Sequence, residues 1–231
     1  MATPGRLVQV MADTLGISKA TVTQYDRVLA EKGIRSTGGR GTSAAKINSG
    51  DAANLLIALA ASPILGLSAK DAAANCEAYG SLRRRLIVSG GIVYGLKAAE
   101  NFAKFGLPTL ANLPKGHSFG EALSALIDAA ARGEVFKLPR GKPYLLNTLF
   151  EVRFIGPSPR RAEILVDGTK HFGFSAKLTY LKLLTKTQSQ KKLQTKTEFQ
   201  QIPDLRRIST VSFRTIQSLG SLISGEGDGE T

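Results

Sequence analysis

Residues 8–27, VQVMADTLGISKATVTQYDR, constrain the fold more than any other part of the sequence. Apolar residues recur there at the spacing of two helices that pack across each other, namely Met11, Leu15, Ile17, Val22 and Tyr25. Gly16 stands between the two patterns, where the chain needs a positive φ, and Ser18 can cap the second helix. The pattern predicts a helix over 4–15, a short turn and a helix over 19–32, which is the arrangement of a helix-turn-helix.

The second of these helices is expected to expose short, polar or basic side chains. They are Lys19, Ala20, Thr21, Thr23, Gln24 and Arg27, and with the capping residue Ser18 they form the predicted DNA-binding set of this helix. Thr21 is expected to face the phosphate backbone or to cap the helix locally. Such residues suit a helix that enters the DNA major groove, because Gln24 can bind adenine with two hydrogen bonds and Lys19 or Arg27 can reach guanine or a phosphate. The alternative is an ordinary helical hairpin with a glycine turn.

The next segment, IRSTGGRGTSAAKI over 34–47, predicts a β-hairpin because a glycine-rich turn lies between two isoleucines. A third helix is predicted over 51–61, with Ser49 as its cap. Two helices alone cannot bury a core, so we expect the hairpin and the third helix to complete a winged helix-turn-helix. The wing residues expected to contact phosphates or the minor groove are Arg35, Arg40, Thr42 and Lys46.

These N-terminal residues resemble the DNA-binding domain of the MerR-like regulators. That family carries a Ser-x-x-Thr-hydrophobic-x-x-Tyr-acid stretch, which is matched here by Ser18, Thr21, Val22, Tyr25 and Asp26. Its glycine-rich wing turn, followed by an acidic residue that opens the next helix, is similar to 38–41 and Asp51. The resemblance covers residues 4–61 and implies a winged DNA-binding domain.

The resemblance to that family has limits that narrow what it implies. The segment between Asp26 and Gly33 is longer than in the family, and the wing lacks the usual aromatic residue. Neither a long dimerising helix nor a cysteine-rich effector site follows. The resemblance therefore implies nothing about metal or drug sensing.

The charge of the chain favours an anionic partner, of which nucleic acid is the usual one. The 231 residues include 31 Lys and Arg against 18 Asp and Glu, for a net charge of +13 at pH 7. Residues 1–50 hold seven Lys or Arg against three acids, whereas residues 137–200 hold thirteen against four. We therefore expect surfaces beyond the helix-turn-helix to contribute to affinity.

The middle of the chain predicts further helices. Helical patterns run over 68–90 and 93–105, and a capping box at Ser118 and Glu121 opens a helix that reaches Arg132. The first of these helices contains the run 83–85 of three arginines in its last turns. That run is typical of a solvated helix end, with a phosphate clamp as the alternative.

The last part of the chain predicts strands. Alternation over 145–156 and 160–168 predicts a hairpin with one buried face. Arg153, Arg160 and Arg161 are expected on its polar face or at its tip, where they serve either solubility or nucleic-acid contact. Residues 175–200, rich in Lys, Thr and Gln, are expected to form a loop or a poorly ordered arm. A short strand and a helix capped by Ser212 follow.

Together these patterns predict an α+β fold that is mainly helical, with an N-terminal winged helix-turn-helix, a helical region and a small antiparallel sheet. We divide the chain into a DNA-binding domain over 1–66, a helical region over 67–134 suited to dimerisation, a basic α+β region over 135–224 and a disordered acidic tail over 225–231.

The sequence offers little for catalysis. His117 and His171 have no nucleophile or acid at motif spacing, and two histidines with Cys76 do not make a convincing zinc site. The glycine-rich stretches 36–41 and 89–95 lack the spacing of phosphate or dinucleotide loops. We therefore expect no enzyme activity, no cofactor and no metal, and we interpret Cys76 as a small buried residue.

The leading hypothesis is a bacterial, sequence-specific transcription regulator that binds double-stranded DNA as a homodimer, with RNA polymerase as a further candidate partner. The alternative is a DNA-binding assembly factor of a phage or mobile element, such as an excision, partition or small terminase protein. A third hypothesis is nonspecific architectural binding. No apolar run approaches the ~20 residues of a membrane span, and no signal-peptide pattern is present, so we expect a cytoplasmic, nucleoid-associated protein without membrane contact.

Overall fold

The structure is a computed structural model, and it describes residues 2–38, 45–62, 69–85, 87–89, 92–94, 98–134, 149–156, 160–167, 175–182 and 207–225. Its helices are α1 Pro4–Leu15, α2 Lys19–Glu31, α3 Ser49–Ala60, α4 Ala72–Gly80, α5 Ala98–Lys104, α6 Pro108–Ala111, α7 Phe119–Ala131 and α8 Phe213–Ser224. Its strands are β1 Arg83–Arg85, β2 Ile87–Ser89, β3 Ile92–Tyr94, β4 Leu149–Gly156, β5 Arg161–Asp167, β6 Ser175–Leu181 and β7 Arg207–Ser212. A 3-10 turn, Ala69–Asp71, precedes α4.

Five of the strands form one antiparallel sheet in the order β1-β6-β5-β4-β7, while β2 and β3 pair separately. Phe154, Ala162 and Tyr180 lie opposite one another across three strands and are buried. Phe119, at the start of α7, places its ring 5.4 Å from that of Phe154 and 5.3 Å from that of Tyr180. Tyr79 of α4 donates a hydrogen bond to the Ile155 carbonyl at 3.1 Å. One face of the sheet therefore packs on helices, as the alternating pattern requires.

The helices are organised around α3, whose side chains are buried on nearly every side, as expected for a helix without a polar face. It contacts α2, α4, α7, α8 and β7. The last helix, α8, packs closely on α7 at Gly220. A Cβ added there would lie only 2.5 Å from the Ala130 Cβ, so the close approach requires glycine. One hydrophobic cluster extends from Leu7 in α1 to Leu222 in α8. The predicted domain boundaries near 66 and 134 stay a prediction, and the described core is continuous across both.

The α+β class is confirmed, and so are several helices that carry local start signals. Thr3 caps α1, and the Ser118 capping box opens α7 as predicted. The strands β4 and β5 pair as the predicted hairpin, and β7 leads into α8 at Ser212. For α3 the predicted cap was wrong: Asn48 caps the helix and forms a capping box with Asp51, while Ser49 is its first residue. Asn48 is the cap because its side-chain oxygen accepts a hydrogen bond from the Asp51 amide at 2.9 Å.

Three predictions in the middle and late parts of the chain were wrong. The helix predicted over 68–90 ends at Gly80 in the described residues, and Arg83–Arg85 form an edge strand paired with β6. The helix predicted over 93–105 comprises only Ala98–Lys104, because Ile92–Tyr94 pair with β2. Ser175–Leu181, predicted as part of a loop or arm, form a strand between β1 and β5. In each case pairing with another strand overrides the local pattern, and for Arg83–Arg85 that partner strand is distant in sequence.

The wing prediction is not supported by the described flanks of that segment. Residues 34–38 and 45–48 are irregular, because their amides bond elsewhere: Ser36 donates to Asp51 Oδ1 at 2.7 Å, and Ile47 donates to the Ala2 carbonyl at 3.1 Å. The tip, with Arg40 and Thr42, lies outside the described residues. So do His171, most of the arm predicted over 175–200 and the acidic tail beyond Gly225.

No helix in the described ranges combines the length and the apolar character needed to cross a membrane.

Candidate nucleic-acid interface

The turn between α1 and α2 is built by local hydrogen bonds. Gly16 adopts the left-handed conformation with φ 65°, which ends α1 at little cost only for a residue without a Cβ. The Ile17 amide donates to the Ala12 carbonyl at 3.1 Å. Ser18 then caps α2, its Oγ accepting the Thr21 amide at 3.2 Å, an interaction of about 1 kcal/mol. The turn thus fixes the direction in which α2 leaves.

One side of α2 is held firmly by the core. Val22, Tyr25 and Leu29 are fully buried, and the Tyr25 hydroxyl hydrogen-bonds Ser62 Oγ at 2.7 Å, just beyond the end of α3. Removing a side chain such as Leu29 would cost about 2–5 kcal/mol. This packing leaves α2 little freedom to rotate about its axis.

The opposite side of α2 is solvent-exposed. Its exposed residues with the character predicted for DNA contact are Lys19, Ala20, Gln24 and Arg27, which we call the α2 stripe. Ala20, Gln24 and Arg27 follow one another at helical spacing, so they lie on one face. No ion pair joins Lys19 or Arg27 to another residue in the part of the chain that the structure describes.

Two predicted contact residues on α2 have their hydroxyls engaged within the helix. Thr21 is half-buried, and its Oγ1 lies 2.8 Å from Ser18 Oγ. Thr23 Oγ1 donates to the Lys19 carbonyl at 2.8 Å. Ser18 itself is exposed but serves as the cap. The hydroxyl groups of these three residues therefore support the helix itself.

Arg35, expected to contact phosphates, is instead a buried ion-pair partner. Its Nε lies 2.7 Å from Asp26 Oδ1, and the two side chains are 11% and 8% exposed. Arg35 also donates to the Ser36 carbonyl at 2.6 Å. Burial raises the pKa of Asp26, an effect opposed by Arg35 and reinforced by Asp51. Asp26 lies on the buried face of α2, so it requires a cation that the solvent cannot supply.

The segment between α2 and α3 is anchored at both of its described ends. Asp51 accepts the Ser36 amide through Oδ1 and the Asn48 amide through Oδ2, at 2.7 and 3.1 Å. Asn54 donates to the Ile34 carbonyl at 3.0 Å. Lys46, near the second anchor, is exposed as expected for a backbone contact.

The outer face of the sheet carries a second group of cations, which are ion-paired. This group, which we call the sheet cluster, consists of Arg153, Arg161 and Lys177 with Glu151 and Glu163. Glu163 is 4% exposed and pairs with Arg161 at 3.3 Å and with Lys177 at 3.6 Å. Arg153 lies 2.5 Å from Glu151. Much of the positive charge on this face is therefore neutralised.

His117 and Cys76 are the two described residues considered for chemistry on the basis of the sequence, and both are buried. His117 Nδ1 lies 2.8 Å from the Pro114 carbonyl, which can only accept, so this nitrogen donates and the neutral Nε2 accepts from Tyr180 Oη at 2.9 Å. Burial lowers the pKa of His117 and raises the pKa of Cys76 to about 12. Among the described residues no cluster of His, Cys, Asp and Glu is suited to a metal.

No protein-family model matches the chain, and no curated protein or solved structure is significantly similar to it.

Sequence reasoning missed the pair of Asp26 and Arg35, although a signal was present. Asp26 follows Tyr25 and shares the helical face of Val22 and Leu29, so an acid falls within an apolar stripe. A buried acid needs a nearby cation or hydrogen-bond donors. Arg35 is the cation that the chain supplies just after α2.

Proposed function

We propose that the protein is a sequence-specific regulator of transcription that binds double-stranded DNA through α2. The observation that carries this proposal is the division of α2 into two faces. The buried face is fixed to the core by Val22, Tyr25 and Leu29, while the α2 stripe is exposed. A helix whose buried face is held rigidly and whose exposed face carries polar side chains has the properties that major-groove recognition requires.

Each residue of the α2 stripe has a distinct chemical role in this proposal. Gln24 presents a donor and an acceptor that match adenine N7 and N6, and Arg27 matches guanine N7 and O6. Ala20 permits close approach and can contact a thymine methyl group. Lys19 is at the start of the helix and neutralises a phosphate.

The segment after α2 supplies backbone contacts in this proposal. Lys46 is exposed, and Arg40 and Thr42 complete the set predicted from the sequence. Arg35 is withdrawn from the set because its guanidinium is paired with Asp26. Its contribution is to hold the residues that follow α2 in position against α3.

A single unit of this size covers few base pairs, so the regulator would act as two copies on a repeated site. Selection of bound duplexes from a random pool, followed by affinity measurements on selected and random duplexes, tests the proposal. We expect the selected sequence to bind at least about a hundredfold more tightly. A ratio below about tenfold would contradict the proposal and favour nonspecific architectural binding.

A matched pair of variants tests whether α2 is the reading element. Gln24→Ala with Arg27→Ala should reduce the ratio about tenfold or more, since each base contact contributes about 1–3 kcal/mol. The control is Arg214→Ala with Gln217→Ala, which removes the same two residue types from exposed positions of α8. An equal loss in the control, or none in the α2 variant, would contradict the assignment. Cooperative spreading over repeats would favour the mobile-element assembly factor.

A further inference from the structure

A cleft lies beside the turn of the proposed DNA-binding unit. It has a volume of about 310 Å³ and is bounded by the ends of α1 and α3 and by β7. β7 is the last strand of the five-stranded sheet and pairs only with β4 among the described strands. The volume is at the lower end of the roughly 300–1,000 Å³ of small-molecule sites.

The cleft combines an apolar wall with one charged side chain. The apolar side is formed by Leu15, Ile17, Leu59, Ala60 and Val211. The lining also includes Ser209, Thr210 and Arg207, and Arg207 is the single charged residue among the described residues that line the cleft. Arg207 is exposed, and no ion pair joins it to another residue within the described ranges.

We infer that this cleft binds a small amphipathic carboxylate, with its apolar body against the α1 and α3 ends and its carboxylate on Arg207. A guanidinium presents parallel N–H donors that match the two oxygens of a carboxylate. A carboxylate also supplies the negative charge that the described residues of the lining lack. The size of the cleft suits a medium-chain or aryl-alkyl acid.

Two connections couple this cleft to α2. Leu15 and Ile17 flank Gly16, whose left-handed conformation sets the angle between α1 and α2. Ser62, also in the lining, hydrogen-bonds the Tyr25 hydroxyl on α2 at 2.7 Å. A ligand that contacts either wall therefore bears on the orientation of α2. That the ligand controls DNA binding through this coupling rests on the proposed function. Ligand binding itself does not depend on it.

Methyl NMR of the full chain, without DNA, tests the site with octanoate as the probe and octanol as its uncharged counterpart. We expect octanoate to shift the methyl signals of Leu15, Ile17, Leu59 and Val211, with a dissociation constant below about 5 mM, and to shift Val22 on α2 as well. Octanol should bind about tenfold more weakly, because it cannot form the charge-assisted pair.

Two variants and one control locate the site. Arg207→Gln should weaken octanoate binding about tenfold and leave octanol unchanged. Ala60→Phe fills the cleft and should weaken both ligands. Arg214→Gln, which removes an exposed arginine of α8 outside the lining, should leave both affinities unchanged.

The outcomes separate this inference from the proposed function. Octanoate binding that exceeds octanol binding and depends on Arg207 supports the site, even if no DNA sequence is selected. Equal binding of the two ligands, no shifts at the methyl groups of these four lining residues, or an unchanged affinity in Arg207→Gln would overturn the site, even if DNA binding is specific. Shifts at the lining without any at Val22 would overturn the coupling.

Discussion

The α2 stripe and the sheet cluster both present cations to solvent, but they differ in what lies beside those cations. Lys19 and Arg27 have no ion-pair partner among the described residues. In the sheet cluster, three cations share two carboxylates, one of which, Glu163, is almost completely buried. A run of basic residues in a sequence is therefore not equivalent to a surface of positive potential.

This difference matters for electrostatic binding more than for stability. The cations of these ion pairs are 33–45% exposed, so the solvent screens their attraction to the carboxylates. The ion pairs do cancel the field that attracts phosphates, and they must be broken before a cation can release counterions from DNA. The proposed function therefore places DNA contact on α2, although the later region carries more Lys and Arg.

The largest expected effect concerns Arg35, whose guanidinium is paired with buried Asp26 and is not assigned to DNA contact. Arg35→Ala should lower the free energy of unfolding by about 3–5 kcal/mol at pH 7, because it leaves the Asp26 carboxylate buried without its cation. Urea denaturation measures this loss. Arg27→Ala, which removes an exposed arginine of α2, should change the stability by less than about 0.5 kcal/mol.

The pH dependence of the Arg35 variant provides a second check. The fold raises the pKa of Asp26, so the folded state binds its proton more readily than the unfolded state does. Part of the lost stability should therefore return as the pH falls from 7 toward the ordinary carboxyl range near 4. Equal losses in Arg35→Ala and Arg27→Ala would contradict the buried pair.

The second effect compares two lysines directly. Lys19→Gln should weaken binding to all duplexes several-fold and reduce the slope of log affinity against log salt by about one, since one phosphate contact is lost. Lys177→Gln should change the affinity less than about twofold, because the Glu163 carboxylate already compensates that cation. Fluorescence anisotropy at several salt concentrations measures both. A larger effect for Lys177 would reverse the assignment.

A third prediction converts the sheet cluster into the kind of surface that α2 presents. Glu163→Gln removes the carboxylate shared by Arg161 and Lys177. We expect a two- to threefold gain in affinity for random duplexes, about 0.5 kcal/mol, with a steeper salt dependence. Glu163→Asp keeps the charge and serves as the control. An unchanged salt slope in Glu163→Gln would show that ion pairing does not prevent the cations of the sheet cluster from binding DNA.

The smallest expected effect concerns His117 and the dependence of stability on pH. Burial lowers the pKa of His117 in the folded state, so the unfolded state binds its proton more readily. Stability from this group is present above the unfolded pKa of about 6.5 and is lost as the pH falls below it, opposite in sign to Asp26. His117→Gln should flatten the fall in thermal midpoint between pH 7 and pH 5. An unchanged pH profile would contradict a neutral buried His117.

What the sequence could predict follows the range of the interactions involved. The helices α1, α2 and α7 are bounded by caps within three residues of their start, so local chemistry determines them. The run Arg83–Arg85 is a strand only because β6 pairs with it, about a hundred residues later in the chain. Alternating Ala176, Leu178 and Tyr180 did signal a strand, but the Lys- and Thr-rich residues around them obscured it.

The candidate site divides in the same way. Helical spacing correctly predicts that Lys19, Ala20, Gln24 and Arg27 are exposed. The role of Arg35 depends on Asp26, which lies nine residues earlier and is buried in α2. A contact between α2 and the loop that follows it cannot be read from the periodicity of either segment alone.

The most direct test of the central claim is an amide NMR titration of the full chain with a selected duplex, measured beside the same titration with a random duplex. The account predicts that the largest shifts with the selected duplex fall on Lys19–Arg27, and that shifts on β5 and β6 stay small with both duplexes. Larger shifts on β5 and β6 than on α2 would contradict the account, because DNA would then be bound by the sheet cluster.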